Sequence, residues 1–153
     1  MKPLTLAVLL ASMSFSASAL ADEKGVSDAR ASSFKAFDAD GDGKASAAEI
    51  VAGTKSVFAA LDADSSGGAS LEEFQAVSLG YLTLAEKDGK MDAYKAARAE
   101  IFASFDANGD KQLNESEVIS GVLEDYFTAA GASVTLENYG LSMFISKMEQ
   151  SLK

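Results

Sequence analysis

Oxygen-bearing side chains recur at fixed intervals in three twelve-residue segments, termed loop 1 (residues 38–49), loop 2 (62–73) and loop 3 (106–117). Each segment has such side chains at its positions 1, 3, 5, 9 and 12, and position 12 is always Glu. This spacing lets a chain wrap around one Ca²⁺, because alternate side chains turn inward and the final Glu supplies both carboxylate oxygens. A shell of about six to eight oxygen ligands suits Ca²⁺ better than Mg²⁺, which retains its waters. The three segments therefore predict three Ca²⁺ sites.

The predicted ligands occupy positions 1, 3, 5, 7 and 12 of each loop, and position 7 acts through its backbone carbonyl. They are Asp38, Asp40, Asp42, Lys44 and Glu49 in loop 1, Asp62, Asp64, Ser66, Gly68 and Glu73 in loop 2, and Asp106, Asn108, Asp110, Gln112 and Glu117 in loop 3.

Position 6 differs among the loops. Loops 1 and 2 have Gly43 and Gly67 there, whereas loop 3 has Lys111. If this bend needs a positive φ, Lys111 costs loop 3 about 1 kcal/mol or somewhat more.

Apolar residues flank each loop at helical spacing. They stand four positions and one position before the first Asp, and directly after the closing Glu. This pattern predicts that one amphipathic helix enters each loop and another leaves it. The residues are Phe34, Phe37 and Ile50 for loop 1, Phe58, Leu61 and Phe74 for loop 2, and Phe102, Phe105 and Val118 for loop 3.

A fourth segment, residues 127–138, has the flanks of such a loop without its ligands. Residues 134–139 mirror residues 69–74, and this alignment sets the start of the segment at position 127. We interpret it as a degenerate loop that keeps the scaffold and has lost the metal; the alternative is an ordinary helix–turn–helix. The residues at its ligand positions 1, 3, 5 and 12 are Phe127, Ala129, Gly131 and Asn138.

The segment around Asp88 and Gly89 also contains clustered acids, and a loop beginning at Leu84 would give an even spacing of loops. Its flanking residues lack the apolar pattern, and Lys95 stands where the closing Glu would be. Because Asp-Gly strongly favours a turn, we interpret residues 87–90 as a plain turn between two helices.

This pattern resembles the EF-hand family of calcium-binding proteins over about residues 27–150, and its short loop spacing is most similar to secreted bacterial members. The resemblance implies an all-α fold of helix–loop–helix units, with three metal-binding loops and one degenerate loop. It also implies Ca²⁺ as the ligand, a role as buffer, sensor or structural module, and no catalysis.

The lengths between loops predict how they pair. About twelve residues separate loop 1 from loop 2, so one shared helix of about 18 Å holds them at opposite ends. Two helices of similar length around the 87–90 turn can instead bring loop 2 beside loop 3. We therefore predict pairing of loops 2 and 3, with Ala69 meeting Leu113, and of loop 1 with the degenerate loop, with Ala45 meeting Val134. If the shared helices kink, loops 1 and 2 pair instead.

Composition narrows the function classes. The 153 residues include no Cys and no His, which excludes disulfides, thiolate catalysis, Ser–His triads and most zinc or copper sites. The net charge of −10 argues against nucleic acid as a partner and favours cations. Every clustered acid has a ligand position, so we expect no enzymatic activity.

The amino terminus has the features of a secretory signal peptide. A basic start at Lys2 precedes an apolar run, and Ala19 and Ala21 form a small-x-small cleavage pattern. We predict a signal peptide over residues 1–21, with cleavage after Ala19 as an alternative, and one EF-hand domain over 22–153. A membrane anchor is the other interpretation, although the run is short for a spanning helix.

These features predict a periplasmic or secreted calcium-binding protein that acts as a buffer, a sensor or a calcium-stabilised module. After signal cleavage no membrane association is expected. The alternative is a calcium-dependent interaction module that binds an unidentified protein partner through an exposed apolar helical face.

Overall fold

The computed structural model describes residues 17–77, 79–131 and 133–153. Residues 1–16 of the predicted signal peptide lie outside the described residues, whereas residues 17–21 belong to the first helix. The described chain is mostly helical, which agrees with the predicted all-α class. Its elements are α1 (Ala17–Lys35), β1 (Lys44–Ala45), α2 (Ala47–Leu61), α3 (Leu71–Ala76), α4 (Tyr81–Lys87), α5 (Met91–Phe105), α6 (Glu115–Ala130), β2 (Val134–Thr135), α7 (Leu136–Tyr139) and α8 (Met143–Ser151).

Four of the described helices begin with the same reciprocal cap. In α2, α3 and α6 the residue at loop position 9, which is Ser46, Ser70 or Asn114, accepts a hydrogen bond from the backbone N–H of the closing Glu. The Glu carboxylate in turn accepts from the N-cap backbone N–H, which completes a capping box. Thr135 and Asn138 form the same arrangement at the start of α7. The loop ends and the helix starts are therefore specified by the same residues.

The loops pair as predicted from their spacing. Strands β1 and β2 are antiparallel, with Ala45 opposite Val134, and an isolated antiparallel bridge joins Ala69 and Leu113. In that bridge both backbone N–H groups donate, over 2.8 and 2.9 Å. The alternative pairing of loops 1 and 2 is wrong, because α2 is one continuous helix with a loop at each end.

The apolar flanking residues form the core. All nine predicted flanking residues are buried, and α2 packs against α6. Each large side chain buried in this way contributes roughly 1.5–3 kcal/mol. The Phe37 ring packs edge-to-face on Tyr126, with centroids 5.6 Å apart, and so joins the unit of loop 1 to the helix–loop–helix unit of the degenerate loop, called the degenerate hand. Tyr126 and Tyr139 make a second edge-to-face contact, with centroids 5.0 Å apart, within the degenerate hand.

The segment between loop 2 and the 87–90 turn differs from the prediction. Instead of one helix matching α5 in length, it forms the shorter α3 and α4, with a break that includes Val77, Leu79 and Gly80. Leu79 and Gly80 have φ of 39° and 90°. A Cβ on Gly80 would lie 3.2 Å from the Ala29 side chain, so this glycine permits close contact between the break and α1. The break turns α4 towards α1 and buries Tyr81.

The turn predicted at residues 87–90 is confirmed. Helix α4 ends at Lys87, Gly89 has φ of 68°, and α5 begins at Met91.

The degenerate hand keeps its scaffold, but its loop is shorter than predicted. The fourth segment was predicted to begin at position 127, and α6 instead spans Glu115–Ala130, so the first four positions of the expected loop are helical. The chain then turns at Gly131, with φ of 72°, into β2. Since no ligand side chain occupies positions 1, 3 or 5, no ion favours an earlier end of the helix.

None of the described helices is long and apolar enough to cross a bilayer.

Candidate metal centres

Loop 1 gathers three aspartates. Carboxylate oxygens of Asp38, Asp40 and Asp42 lie within 4.8 Å of one another. Backbone N–H groups hold them in place: Lys44 donates to Asp42 over 2.8 Å, and Gly43 donates to Asp38 Oδ2 over 3.2 Å. The second oxygen, Asp38 Oδ1, is buried and has no hydrogen-bond partner. A buried acceptor among gathered carboxylates fits the donor set that Ca²⁺ requires.

Glu49, at the end of loop 1, joins the first turn of α2 to the start of the loop. Its Oε1 accepts from the backbone N–H of Ala39 over 3.1 Å, and its Oε2 accepts from the Ser46 N–H over 2.9 Å and hydroxyl over 2.7 Å. These hydrogen bonds, foremost the one from the Ser46 backbone, lower the pKa of Glu49 below its ordinary 4.5. Glu49 is therefore ionised at neutral pH and links the start of the loop to α2.

Loop 2 gathers a different set of carboxylates. Oxygens of Asp62, Asp64 and Glu73 lie within 4.8 Å, so here the closing Glu belongs to the cluster. The Ser70 backbone N–H is the main cause that lowers the pKa of Glu73. The Ser66 hydroxyl donates to the Gly68 carbonyl over 3.0 Å. These two predicted ligands are thus adjacent, and the hydroxyl must rotate before both oxygens can face an ion.

Loop 3 has the same bend but a different arrangement of acids. Among the described residues, Asp106, Asp110 and Glu117 do not form a group as close as those in loops 1 and 2. Asn108 Oδ1 accepts from the Asp110 N–H over 2.8 Å, and its Nδ2 donates to Asp110 Oδ2 over 3.0 Å. The amide at loop position 3 therefore engages a carboxylate oxygen at position 5, whereas loop 1 has the acid Asp40 at position 3 and no such donor. The Glu117 side chain accepts from the Asn108 N–H over 3.2 Å.

The bend at position 6 has a positive φ in every loop. The angle is 84° at Gly43, 95° at Gly67 and 67° at Lys111. Lys111 thus has the positive φ on which the predicted cost to loop 3 depended. Its Cβ is strained in this left-handed conformation.

The carbonyl roles of Lys44, Gly68 and Gln112 remain predictions. The sequence reasoning missed the second role of loop position 9, whose side chain bonds the closing Glu as a helix cap. The signal was present as Ser or Asn followed three residues later by Glu, which is a capping-box pattern.

Comparison with protein families agrees with this geometry. Residues 30–52 and 54–78 match the family model described as EF hand. The first match contains loop 1, and the second contains loop 2 and α3. Searches of curated proteins and of solved structures gave no match. The matched segments thus support the EF-hand assignment for the two loops whose carboxylates are most closely gathered, and they indicate calcium binding.

Proposed function

We propose, from the premise that residues 30–52 and 54–78 are EF hands, that this chain is an exported calcium-binding protein that holds three Ca²⁺. The observation that carries the proposal is the gathering of Asp38, Asp40 and Asp42 within 4.8 Å, with Asp38 Oδ1 buried and unpartnered. Loops 2 and 3 supply the other two sites. Loop 3 is included because it repeats the ligand spacing and the bend of the matched loops.

In loop 1 the chain prepares the site before the ion arrives. Backbone N–H groups fix the aspartates, and the capping box fixes the closing Glu at the start of the exiting helix. Gathered carboxylates repel one another, which raises the free energy of the folded state without metal. When bound, Ca²⁺ supplies positive charge that offsets this repulsion. Ion binding and folding are therefore coupled, because the unfolded chain does not assemble the sites.

The burial pattern supports a buffer or calcium-stabilised module. The apolar residues that flank the loops are buried, and the exposed large apolar side chains of the described residues are Leu71, Leu136 and Leu141. An interaction module would require an apolar helical face that opens on binding. The predicted signal peptide supports a periplasmic or secreted location.

Calorimetric titration of residues 22–153 with Ca²⁺, accompanied by an apolar dye, tests the proposal. We expect three equivalents of Ca²⁺ and no rise in dye fluorescence. An Asp38→Asn/Asp40→Asn double variant should bind one ion fewer, while Asn138→Ala in the degenerate loop should still bind three. Failure of wild-type protein to bind Ca²⁺ would overturn the proposal, and a dye signal on loading would favour the interaction module.

A further inference from the structure

Asn108 is the one asparagine of the chain that precedes a glycine. A glutamate follows Asn114, and a tyrosine follows Asn138. Asparagine is a thermolabile residue, because the backbone nitrogen of the next residue can attack its side-chain amide. Glycine has no Cβ to hinder that approach, and its backbone adopts many conformations. The pair of Asn108 and Gly109 is therefore the place in the sequence at which this reaction is least hindered.

The structure leaves Asn108 exposed and restrains the other two asparagines. Asn114 and Asn138 are half-buried, and each belongs to a capping box. The Asn114 side chain bonds the N–H and the carboxylate of Glu117 over 3.0 and 2.8 Å. Asn138 Oδ1 accepts from the Thr135 N–H over 2.6 Å. Rotation of either amide would break a helix cap, whereas Asn108 lies inside loop 3, between α5 and α6.

The local geometry places the reacting atoms of Asn108 and Gly109 in one small ring. Asn108 Oδ1 accepts from the Asp110 N–H over 2.8 Å, and the ring closed by this bond contains Asn108 Cγ and the Gly109 nitrogen. The same N–H stabilises the negative charge that develops on Oδ1 during attack. A Cβ built on Gly109 would meet nothing within 4 Å, so water reaches this side of the loop. The Gly109 N–H donates to Asp106 Oδ1 over 2.8 Å, and this bond is exposed, so water can replace it.

We propose that Asn108 is a site of spontaneous deamidation in the folded protein. Solvent hydroxide takes the proton of the Gly109 nitrogen, and this nitrogen forms a bond to Asn108 Cγ. The Nδ2 group gains a proton from water and leaves as ammonia. Water then opens the resulting succinimide at either of its carbonyl carbons, which gives aspartate or isoaspartate. The net change is the uptake of a water molecule and the loss of ammonia.

The two products should affect loop 3 in opposite directions, a consequence that rests on the proposed function. Aspartate at this position gives loop 3 acids at positions 1, 3 and 5, as in loop 1. Because a higher ligand charge tightens a calcium loop, Asn108→Asp should bind Ca²⁺ at loop 3 about threefold more tightly, or better, in a chelator titration. Isoaspartate lengthens the main chain and disturbs the ligand spacing, so that product should weaken the site.

Peptide mass spectrometry of the purified protein, incubated in calcium chelator at mildly alkaline pH, tests the modification. We expect peptides with Asn108 to show the change from amide to acid at least about tenfold faster than peptides with Asn114 or Asn138. Protein unfolded in urea gives the rate of the unrestrained reaction. Equal rates at the three asparagines would overturn the proposal, as would an Asn108 that reacts in urea but stays intact in the folded protein.

Two alanine variants separate the role of Gly109 from backbone strain. Gly109 and Gly41 both have φ of 74°, and both have open space for a Cβ. Gly109→Ala should slow the loss of ammonia from Asn108 by about tenfold, because the new Cβ lies beside the attacking nitrogen. Gly41→Ala is the matched change in loop 1 and should leave the rate unchanged. Deamidation of Gly109→Ala at the wild-type rate would contradict the proposed attack.

Saturating Ca²⁺ distinguishes the modification from the proposed function. Asn108 is a predicted ligand, so an ion in loop 3 should hold its amide and slow deamidation by about threefold or more. A reaction that runs equally fast in chelator and in Ca²⁺ would support Asn108 as the modified residue and count against calcium binding by loop 3.

Discussion

At the scale of single residues, the glutamate at loop position 12 has two functions. In loops 1 and 2 its carboxylate accepts hydrogen bonds from backbone N–H groups at the loop start and from the N-cap of the exiting helix. The same oxygens are those proposed to grip the ion. The site and the first turn of the helix therefore depend on one side chain.

Replacement of Glu49 by Gln should remove one calcium site and leave the other two intact. Gln keeps the shape, but it loses the charge and places an amide donor against the N–H groups that Glu49 now accepts from. Calorimetry should show the stoichiometry fall from three to two. Glu73→Gln should have the same effect on loop 2. Loss of more than one ion in Glu49→Gln would mean that the sites are not independent.

Replacement of Lys111 by Gly should tighten calcium binding at loop 3. Glycine adopts the φ of 67° found at Lys111 without steric cost, although it also increases the freedom of the unbound chain. The gain should reach up to about tenfold if strain of about 1.4 kcal/mol is relieved. Competitive chelator titration measures it. The reverse change in loop 1, Gly43→Lys, is the matched control and should weaken that site; a weaker loop 3 in Lys111→Gly would contradict the strain argument.

Among the elements, the lengths between loops predicted how the loops pair, but they did not predict contacts that depend on particular side chains far apart in sequence. The meetings of Ala69 with Leu113 and of Ala45 with Val134 followed from the length of a helix between loops. The break before α4 could not be predicted, because it depends on contact between Gly80 and Ala29, far away in sequence. The burial of Arg98 with no ion pair to a described carboxylate likewise arises only when several helices meet.

Helix α8 depends on one carboxylate from α6. Asp125 accepts from the N–H groups of Met143 and Phe144 over 2.6 and 2.9 Å, so it caps α8 across the fold. Burial nevertheless raises the pKa of Asp125 above its ordinary 3.8. The folded protein therefore binds a proton at this residue more readily than the unfolded chain does. It follows that this residue contributes stability at acid pH that is lost as pH rises through the folded pKa.

Asp125 variants separate these two effects. Asp125→Ala should lower the free energy of unfolding at neutral pH by about 1 kcal/mol, since both cap bonds are lost. Asp125→Asn keeps one acceptor and does not titrate, so wild type should lose stability relative to this variant as pH rises from about 4 to neutrality. Urea unfolding in chelator across this range measures the two free energies of unfolding; a wild type that gains stability relative to Asp125→Asn as pH rises would contradict the sign.

In the molecule as a whole, one loop pair is nested inside the other along the sequence. The pair formed by loops 2 and 3 lies between the two halves of the outer pair, loop 1 and the degenerate hand. The hand without ligands thus supplies a strand to a loop that has them, and it positions loop 1 through β1.

Deletion of the degenerate hand should therefore weaken a site that it does not contain. A chain ending at residue 131 lacks β2, α7 and α8, so Ala45 loses its partner Val134 and Phe37 loses the Tyr139 ring. We expect calcium affinity at loop 1 to fall at least tenfold, with loops 2 and 3 retaining at least one site. Calorimetry measures this, and a Val134→Gly variant of the full chain is the milder control; unchanged affinity in both would show that loop 1 does not need its strand partner.

The nested pairing also fixes an order in time. During synthesis from the amino terminus, both loops of the inner pair are complete once residue 117 has been added. Strand β1 has no partner until residue 134 has been added. Because the closure of a longer stretch of chain costs more entropy, the outer pair is also the slower one to form in a refolding chain. Loop 1, the first of the three loops in the sequence, is thus the last to gain its strand partner, so a Ca²⁺ ion bound at the site proposed there would report that the outer pair has formed.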